Sequence, residues 1–132
     1  MMPTEDKPQR SKPLALVADD SEDTRDMYVL ALVFSGFDAI TAADGPEALR
    51  LASERLPDVI VLDMGMPSVD GWEVCRRIRA AQATSKTPII AVTGHALMEA
   101  EVAARVAGCD VYLTKPLLPE RLVDEVWRVL PR

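Results

Sequence analysis

The chain has 132 residues, 48% of them hydrophobic, with 15 Lys and Arg against 21 Asp and Glu and a formal net charge of -6. That length holds one domain with a real core and leaves no room for a second, and the acidic balance argues against general nucleic-acid affinity, which rests on neutralising phosphates. No stretch reaches the roughly 18 apolar residues of a membrane span, and the polar, Pro-containing residues 1–12 lack the apolar core of a secretion signal. Residues 1–12 are therefore expected to be a disordered extension, residues 13–132 the domain, and the cytoplasm its location.

Apolar runs of strand length alternate with longer stretches of helical spacing, the mark of βαβ units around a parallel sheet; the expected class is α/β, with five strands and five helices. The first strand covers residues 14–18. Helix one follows over about residues 22–35, with Ser21 as N-cap, Met27, Leu30, Ala31 and Phe34 at inward spacing, and Gly36 as the stop. Strand two, residues 38–42, is less apolar and reads as an edge strand. Helix two follows Asp44, has Glu47 at capping-box spacing and Pro46 in its first turn, and ends near Arg55.

Strand three covers residues 59–62. Helix three follows Asp70, with Glu73 at capping-box spacing and Val74, Cys75 and Ile78 as apolar contacts, and dissolves into residues 82–86. Its Arg76, Arg77 and Arg79 read as a solvated face. Strand four covers residues 89–92, helix four about 97–107 with a stop at Gly108, and strand five 111–114. Helix five begins near Pro119 and turns Leu122, Val126 and Val129 or Leu130 inward. Cys75 and Cys109 have neither CxxC spacing nor a nearby His, so both read as packing residues.

In an open parallel sheet, ligands bind outside the carboxyl ends of the strands, where the strand order reverses. The polar residues there are Asp19 and Asp20 after strand one, Asp63 after strand three, Thr93 after strand four and Lys115 after strand five. With strands ordered 2-1-3-4-5, strands one and three are neighbours and their three acids share one site. Like charges held that close disfavour being ionised together, so the cluster calls for a cation or for chemistry that consumes a carboxylate. A hard divalent cation on oxygen ligands, with Lys115 and Thr93 left for the other oxygens of a phosphoryl group, satisfies the set. Singly, Asp20 reads equally as a helix cap, Thr93 as a β-branched strand end and Tyr112 as a core aromatic. Asp63 does not dissolve in this way, because a carboxylate closing a buried strand is costly without a partner.

At this point the chain resembles a response-regulator receiver domain, the phosphoacceptor module of bacterial two-component signalling. The matching pieces are Asp19-Asp20, Asp63-Met64-Gly65-Met66-Pro67 with Asp70-Gly71, Thr93-Gly94 and Lys115-Pro116, in order on the right strands. The resemblance implies a doubly wound, flavodoxin-like receiver fold and makes Asp63 the phosphoacceptor, a carboxylate nucleophile forming an aspartyl phosphate. It implies Mg2+ on Asp20, Asp63 and the backbone carbonyl of Gly65, with Asp19 acting mainly through bound water. Lys115 and Thr93 would hold phosphoryl oxygens, the Lys115-Pro116 bond would be cis, and Tyr112 would be the switch aromatic that follows Thr93. The responsive surface would be formed by helix four, strand five and helix five, where Val102, Val106 and Trp127 offer contacts.

The implied partners are a histidine kinase or histidine phosphotransfer protein upstream and a protein target downstream, with no direct nucleic-acid or membrane contact, and a monomer or weak phosphorylation-dependent dimer. The protein would take part in its own phosphorylation without turning over an external substrate. His95, the only histidine, reads as a solvated loop residue, as a group near the phosphoryl site that affects water, or, least favoured, as a phosphodonor. A dehalogenase-type phosphatase wants a second Asp where Gly65 stands, and the chain has no room for its cap domain. The remaining alternatives are a receiver-like interaction module that is never phosphorylated and a receiver cut from a larger kinase or regulator; a stand-alone regulator is the expectation.

Overall fold

The computed structural model describes residues 9–66, 70–94 and 98–131, with side chains omitted at 98–100. Strands β1 (Leu14–Ala18), β2 (Asp38–Ala42), β3 (Val59–Asp63), β4 (Ile89–Thr93) and β5 (Val111–Thr114) alternate with helices α1 (Glu22–Phe34), α2 (Gly45–Arg55), α3 (Gly71–Ala80), α4 (Met98–Ala107) and α5 (Pro119–Val129). All strand pairs are parallel, in the order β2-β1-β3-β4-β5. The expected class and strand order are thus observed, with β2 at one edge.

Every residue of β1, β3 and β4 is buried, as befits central strands covered on both faces. The period of two then sorts their side chains into two cores. Leu16, Ile60, Leu62 and Ile89 pack with Val74, Cys75 and Ile78 of α3, while Val17, Val59, Val61 and Ile90 pack with Tyr28, Leu32, Leu122 and Val126 of α1 and α5. Both cysteines are buried thiols on the α3 side.

The helix starts follow their sequence signals. Ser21 accepts from the Thr24 N–H, Asp44 from Glu47 and Asp70 from Glu73, each satisfying one of the donors that a helix start leaves unpaired. The Glu47 carboxylate reaches back to the Ala43 N–H; Glu73 instead pairs with Arg76 and Arg77 on the surface. Gly36 and Gly108 stop α1 and α4 in the positive-φ region at 102° and 115°, where a side chain is strained.

Four expectations are corrected. Helix α1 turns Tyr28 and Leu32 inward and leaves Met27, Leu30 and Phe34 outside, Phe34 being 83% exposed. Its residues 27–34 are apolar all round, so spacing alone does not fix its rotation. Arg79 is no solvated residue: its guanidinium donates to the carbonyls of Gly108 and Thr87 and pairs with Asp110, tying α3 to the end of α4. Within the stretch expected to be disordered, Arg10 pairs with Asp58 at 3.2 Å and donates to the carbonyls of Arg55 and Leu56. Residues 82–86, read as the fading end of helix three, contain a short 3-10 turn over Gln82–Thr84.

At the start of α3 the chain passes very close to the turn after β3. A Cβ on Gly71 would lie 2.5 Å from Met64 Cα and 2.7 Å from Met64 Sδ. Because a backbone atom cannot give way as a side-chain tip can, Gly71→Ala is expected to destabilise the fold by about 1–3 kcal/mol; a lowered midpoint in urea unfolding is the measurement.

Candidate functional site

The strand ends bring the sequence-predicted residues to one edge. β1 pairs with β2 on one side and β3 on the other, with Ala18 beside Leu62, so the chain leaves these two neighbours for opposite faces of the sheet and opens a crevice. Asp19, Asp20 and Asp63 meet there, with one carboxylate oxygen from each lying within 4.8 Å of the others. Asp19 and Asp63 are buried and Asp20 is exposed. Lys115 comes from the end of β5, and its Nζ lies 3.1 Å from Asp19 Oδ2 and 3.5 Å from Asp63 Oδ2.

The backbone holds these groups in place. Asp19 N–H donates to Ala42, Met64 N–H to Val92 and Lys115 N–H to Thr93, extending the sheet ladders into the functional turns. Asp19 Oδ1 accepts from the Ser21 N–H at 2.9 Å and Asp63 Oδ1 from the Gly65 N–H at 3.0 Å. Gly65 therefore touches the site through its main chain. The Lys115-Pro116 peptide is cis, as the resemblance implied.

Electrostatics separates the groups. Burial pushes the Asp63 carboxyl above the usual carboxylate range; the Gly65 N–H opposes this, Asp19 reinforces it, and Lys115 offsets part. Burial pulls Lys115 down, but its hydrogen bond to Asp19 and the charges of Asp63 and Asp19 outweigh that and leave it raised, hence protonated at neutral pH. Burial lifts the Cys75 thiol to about 12 and Cys109 in the same direction, so neither is a thiolate nucleophile.

Thr93 is buried at the end of β4, and its side chain hydrogen-bonds Tyr112, which is half-buried on β5. Tyr112 also lines a groove of about 470 Å³ with Glu101, Pro116, Leu117 and Arg121, so one contact links the strand-end hydroxyl to the outer surface. Val102 and Val106 of α4 are exposed. Trp127 is not beside Tyr112: its ring stands 4.4 Å from that of Phe37, at the α1–β2 junction where strands begin. His95 and Pro67 lie outside the described residues.

Two residues near the site were missed by reading strand ends alone. Arg25 donates to the Asp19 carbonyl at 2.8 Å, and Tyr28 is buried beside Lys115. Both lie on α1, three residues apart and on one face with Leu32, a spacing that was available once Ser21 had been placed as the cap.

The sequence matches the family described as response regulator receiver domain over residues 15–127. It is 39% identical over 122 residues to the transcriptional regulatory protein PrrA of Mycobacterium tuberculosis, covering 92% of this chain and 52% of that protein. It is 33% identical over 120 residues to the DNA-binding dual master transcriptional regulator RpaA of a Synechocystis species, covering 91% of this chain and 50% of the relative. The chain thus spans about half the length of these curated relatives. The structure superposes on the chemotaxis response regulator CheY4 of Vibrio cholerae with a TM-score of 0.86 at 34% identity, covering 91% of this chain and 100% of that one. With its doubly wound sheet, its acid cluster at the β1/β3 crevice and this match over most of its length, the chain belongs to the response regulator receiver domain family of two-component systems.

Proposed function

We propose that the protein accepts a phosphoryl group on Asp63 from the phosphohistidine of a histidine kinase or histidine phosphotransfer protein, with Mg2+, and passes the signal to a protein partner through the surface around Tyr112. The observation that carries this reading is the imbalance at the crevice. Among the described residues three carboxylates gather around one ammonium, while Arg25 is bonded to the Asp19 main chain rather than to a carboxylate, so the cluster keeps a net negative charge when all its members are ionised. A divalent cation suits hard oxygen donors of that charge. Asp20, Asp63 and the Gly65 carbonyl would hold it, with Asp19 contributing through water. Bound there, Mg2+ supplies charge neutralisation for the phosphoryl oxygens.

The chain's own residues supply the rest. An Asp63 oxygen attacks phosphorus in line as the bond from phosphorus to the donor imidazole nitrogen breaks; the electron pair stays on that nitrogen, and because the other ring nitrogen of the donor carries a proton, neutral imidazole leaves and a mixed anhydride remains on Asp63. Lys115, kept protonated by Asp19, turns an N–H toward a phosphoryl oxygen. Thr93 donates its hydroxyl to another. Because Thr93 is bonded to Tyr112, a threonine that turns to the phosphoryl group changes the environment of the phenol, which is how the site would reach the groove and the exposed Val102 and Val106. The size of such a shift is bounded by the differential affinity of the phosphoryl group for the two arrangements.

The protein enters this reaction as reactant rather than as an enzyme acting on an external substrate. The proposed setting is the bacterial cytoplasm; none of the described helices is long and apolar enough to cross a membrane.

With a small-molecule phosphodonor and Mg2+, the intact mass is expected to rise by one phosphoryl group, and Asp63→Asn to abolish the gain. No gain with any donor or kinase would make the chain an interaction module instead. A second expectation follows from burial of Asp63. Its carboxyl lies above an unfolded value of about 3.9, so the folded state binds that proton more tightly than the unfolded chain does. The group's contribution to stability is full below the unfolded value and is lost as pH rises through the folded one. Asp63→Asn should therefore raise Tm at neutral pH without added metal, by roughly 4 °C for about 1 kcal/mol relieved. It should also flatten the decline of stability above about pH 4. Thermal unfolding across pH measures both effects, and Mg2+ should stabilise the unsubstituted protein more than the variant.

A further inference from the structure

We propose that Tyr28 is a positioning residue for Lys115: its phenol oxygen serves as an uncharged third acceptor for the ammonium, reached through the small cavity that the two side chains share. This rests on Asp63 being the phosphoacceptor, and it adds to that reading a residue that sets how fast Asp63 is phosphorylated.

An ammonium has three N–H donors and no acceptor. Two of the Lys115 donors face Asp19 Oδ2 at 3.1 Å and Asp63 Oδ2 at 3.5 Å. Beside Lys115 lies a cavity of about 180 Å³, lined also by Thr24, Met27, Tyr28, Pro116 and Leu117, large enough for a bridging water. Of these side chains only Thr24 and Tyr28 carry an oxygen.

Tyr28 is 2% exposed, and none of the described residues hydrogen-bonds to its hydroxyl. A buried phenol ordinarily finds a partner, because leaving one unpaired is costly. The neighbours on its own core face, Leu32, Phe37, Leu117, Leu122 and Val126, have no side-chain acceptor, and phenylalanine would serve the packing equally well. The polar side chains that share its cavity are Thr24 and Lys115, and of these Lys115 is the charged donor. The same proximity is felt electrostatically: burial raises the phenol first, Lys115 lowers it, and Asp19 and Asp63 raise it.

The need for a third acceptor arises during the reaction. When Asp63 becomes an acyl phosphate its carboxylate charge is lost, and Lys115 has to turn from that oxygen toward the phosphoryl group. Asp19 alone fixes one N–H of a long, flexible side chain. A neutral acceptor on the opposite flank restrains the ammonium without adding a negative charge that would repel the incoming phosphoryl oxygens.

The test uses the full chain, a small-molecule phosphodonor and saturating Mg2+, with phosphorylation followed by intact mass. Tyr28→Phe keeps the ring and is expected to phosphorylate about tenfold more slowly, the scale of one hydrogen bond to a charged group, with Tm unchanged. In a Lys115→Met background, which has no N–H donor in the side chain, the same substitution should cause no further slowing of the residual reaction. Incorporated fluorotyrosine gives a second readout in the unsubstituted protein. The fluorine resonance assigned to Tyr28, by its loss in Tyr28→Phe, should shift when beryllofluoride occupies the site. A rate within about twofold of the parent, an equal loss in the Lys115→Met background, or an unmoved resonance overturns the role of Tyr28. Failure of the unsubstituted protein to gain any mass instead overturns the Asp63 reading, and the Tyr28 role with it.

Discussion

Lys115 stands between two carboxylates that burial has stripped of most of their water, and the arrangement of the domain's functional edge depends on that shared ammonium. Asp19 and Asp63 come from strands whose ends are neighbours in the sheet, and without a positive charge between them their repulsion would act directly on the turns that carry them. The ammonium is in turn held by what it neutralises, since burial by itself would favour its losing the proton. Lys115 thus favours the charged form of Asp63 and is itself kept charged by Asp63 and Asp19, whereas Asp19 acts against the charge on Asp63. Asp20, exposed at the rim, keeps the cluster net negative and open to a cation from solvent.

The sheet makes this possible by precision of register. Ala18 lies beside Leu62 and Thr93 beside Thr114, so Asp19 and Lys115 emerge one step past a paired strand, while Asp63 and Thr93 are the last paired residues of β3 and β4. The next backbone bonds continue across the gap from Asp19, Met64 and Lys115. Rigid strands therefore carry the chemistry, while a side-chain contact between Thr93 and Tyr112 leads outward. A stiff site with a polar connection to a surface groove is well suited to converting a local change of charge into a change of contact. Away from the site, the Arg79 clamp on Gly108, Thr87 and Asp110 ties α3 to the α4–β5 turn.

Much of this was legible in the residues. The strands announced themselves as apolar runs because strands buried on both faces have no polar alternation to keep, and Asp44 and Asp70 marked their helix starts by the chemistry of unpaired N–H groups. Asp63 was legible for a related reason, a carboxylate having no cheap place at the end of a buried strand. The rotation of α1 was not, since a helix apolar on every side has no preferred face until the sheet beneath it supplies one. Arg79 and Trp127 misled for another reason. A long or amphipathic side chain near a helix surface takes its partners from distant segments, here Asp110 and Phe37, whose approach no local pattern encodes.

The sequence by itself determined the class of the domain, the order of its elements and the identity of the acids, the hydroxyl and the ammonium, because periodicity and strand-end polarity are local properties of the chain. Only the tertiary structure decided that Lys115 divides itself between Asp19 and Asp63, that Thr93 bonds Tyr112, and that Tyr28 is buried beside the ammonium. Those are distances between residues far apart in the chain, set by strand register and by the face that α1 turns to the sheet.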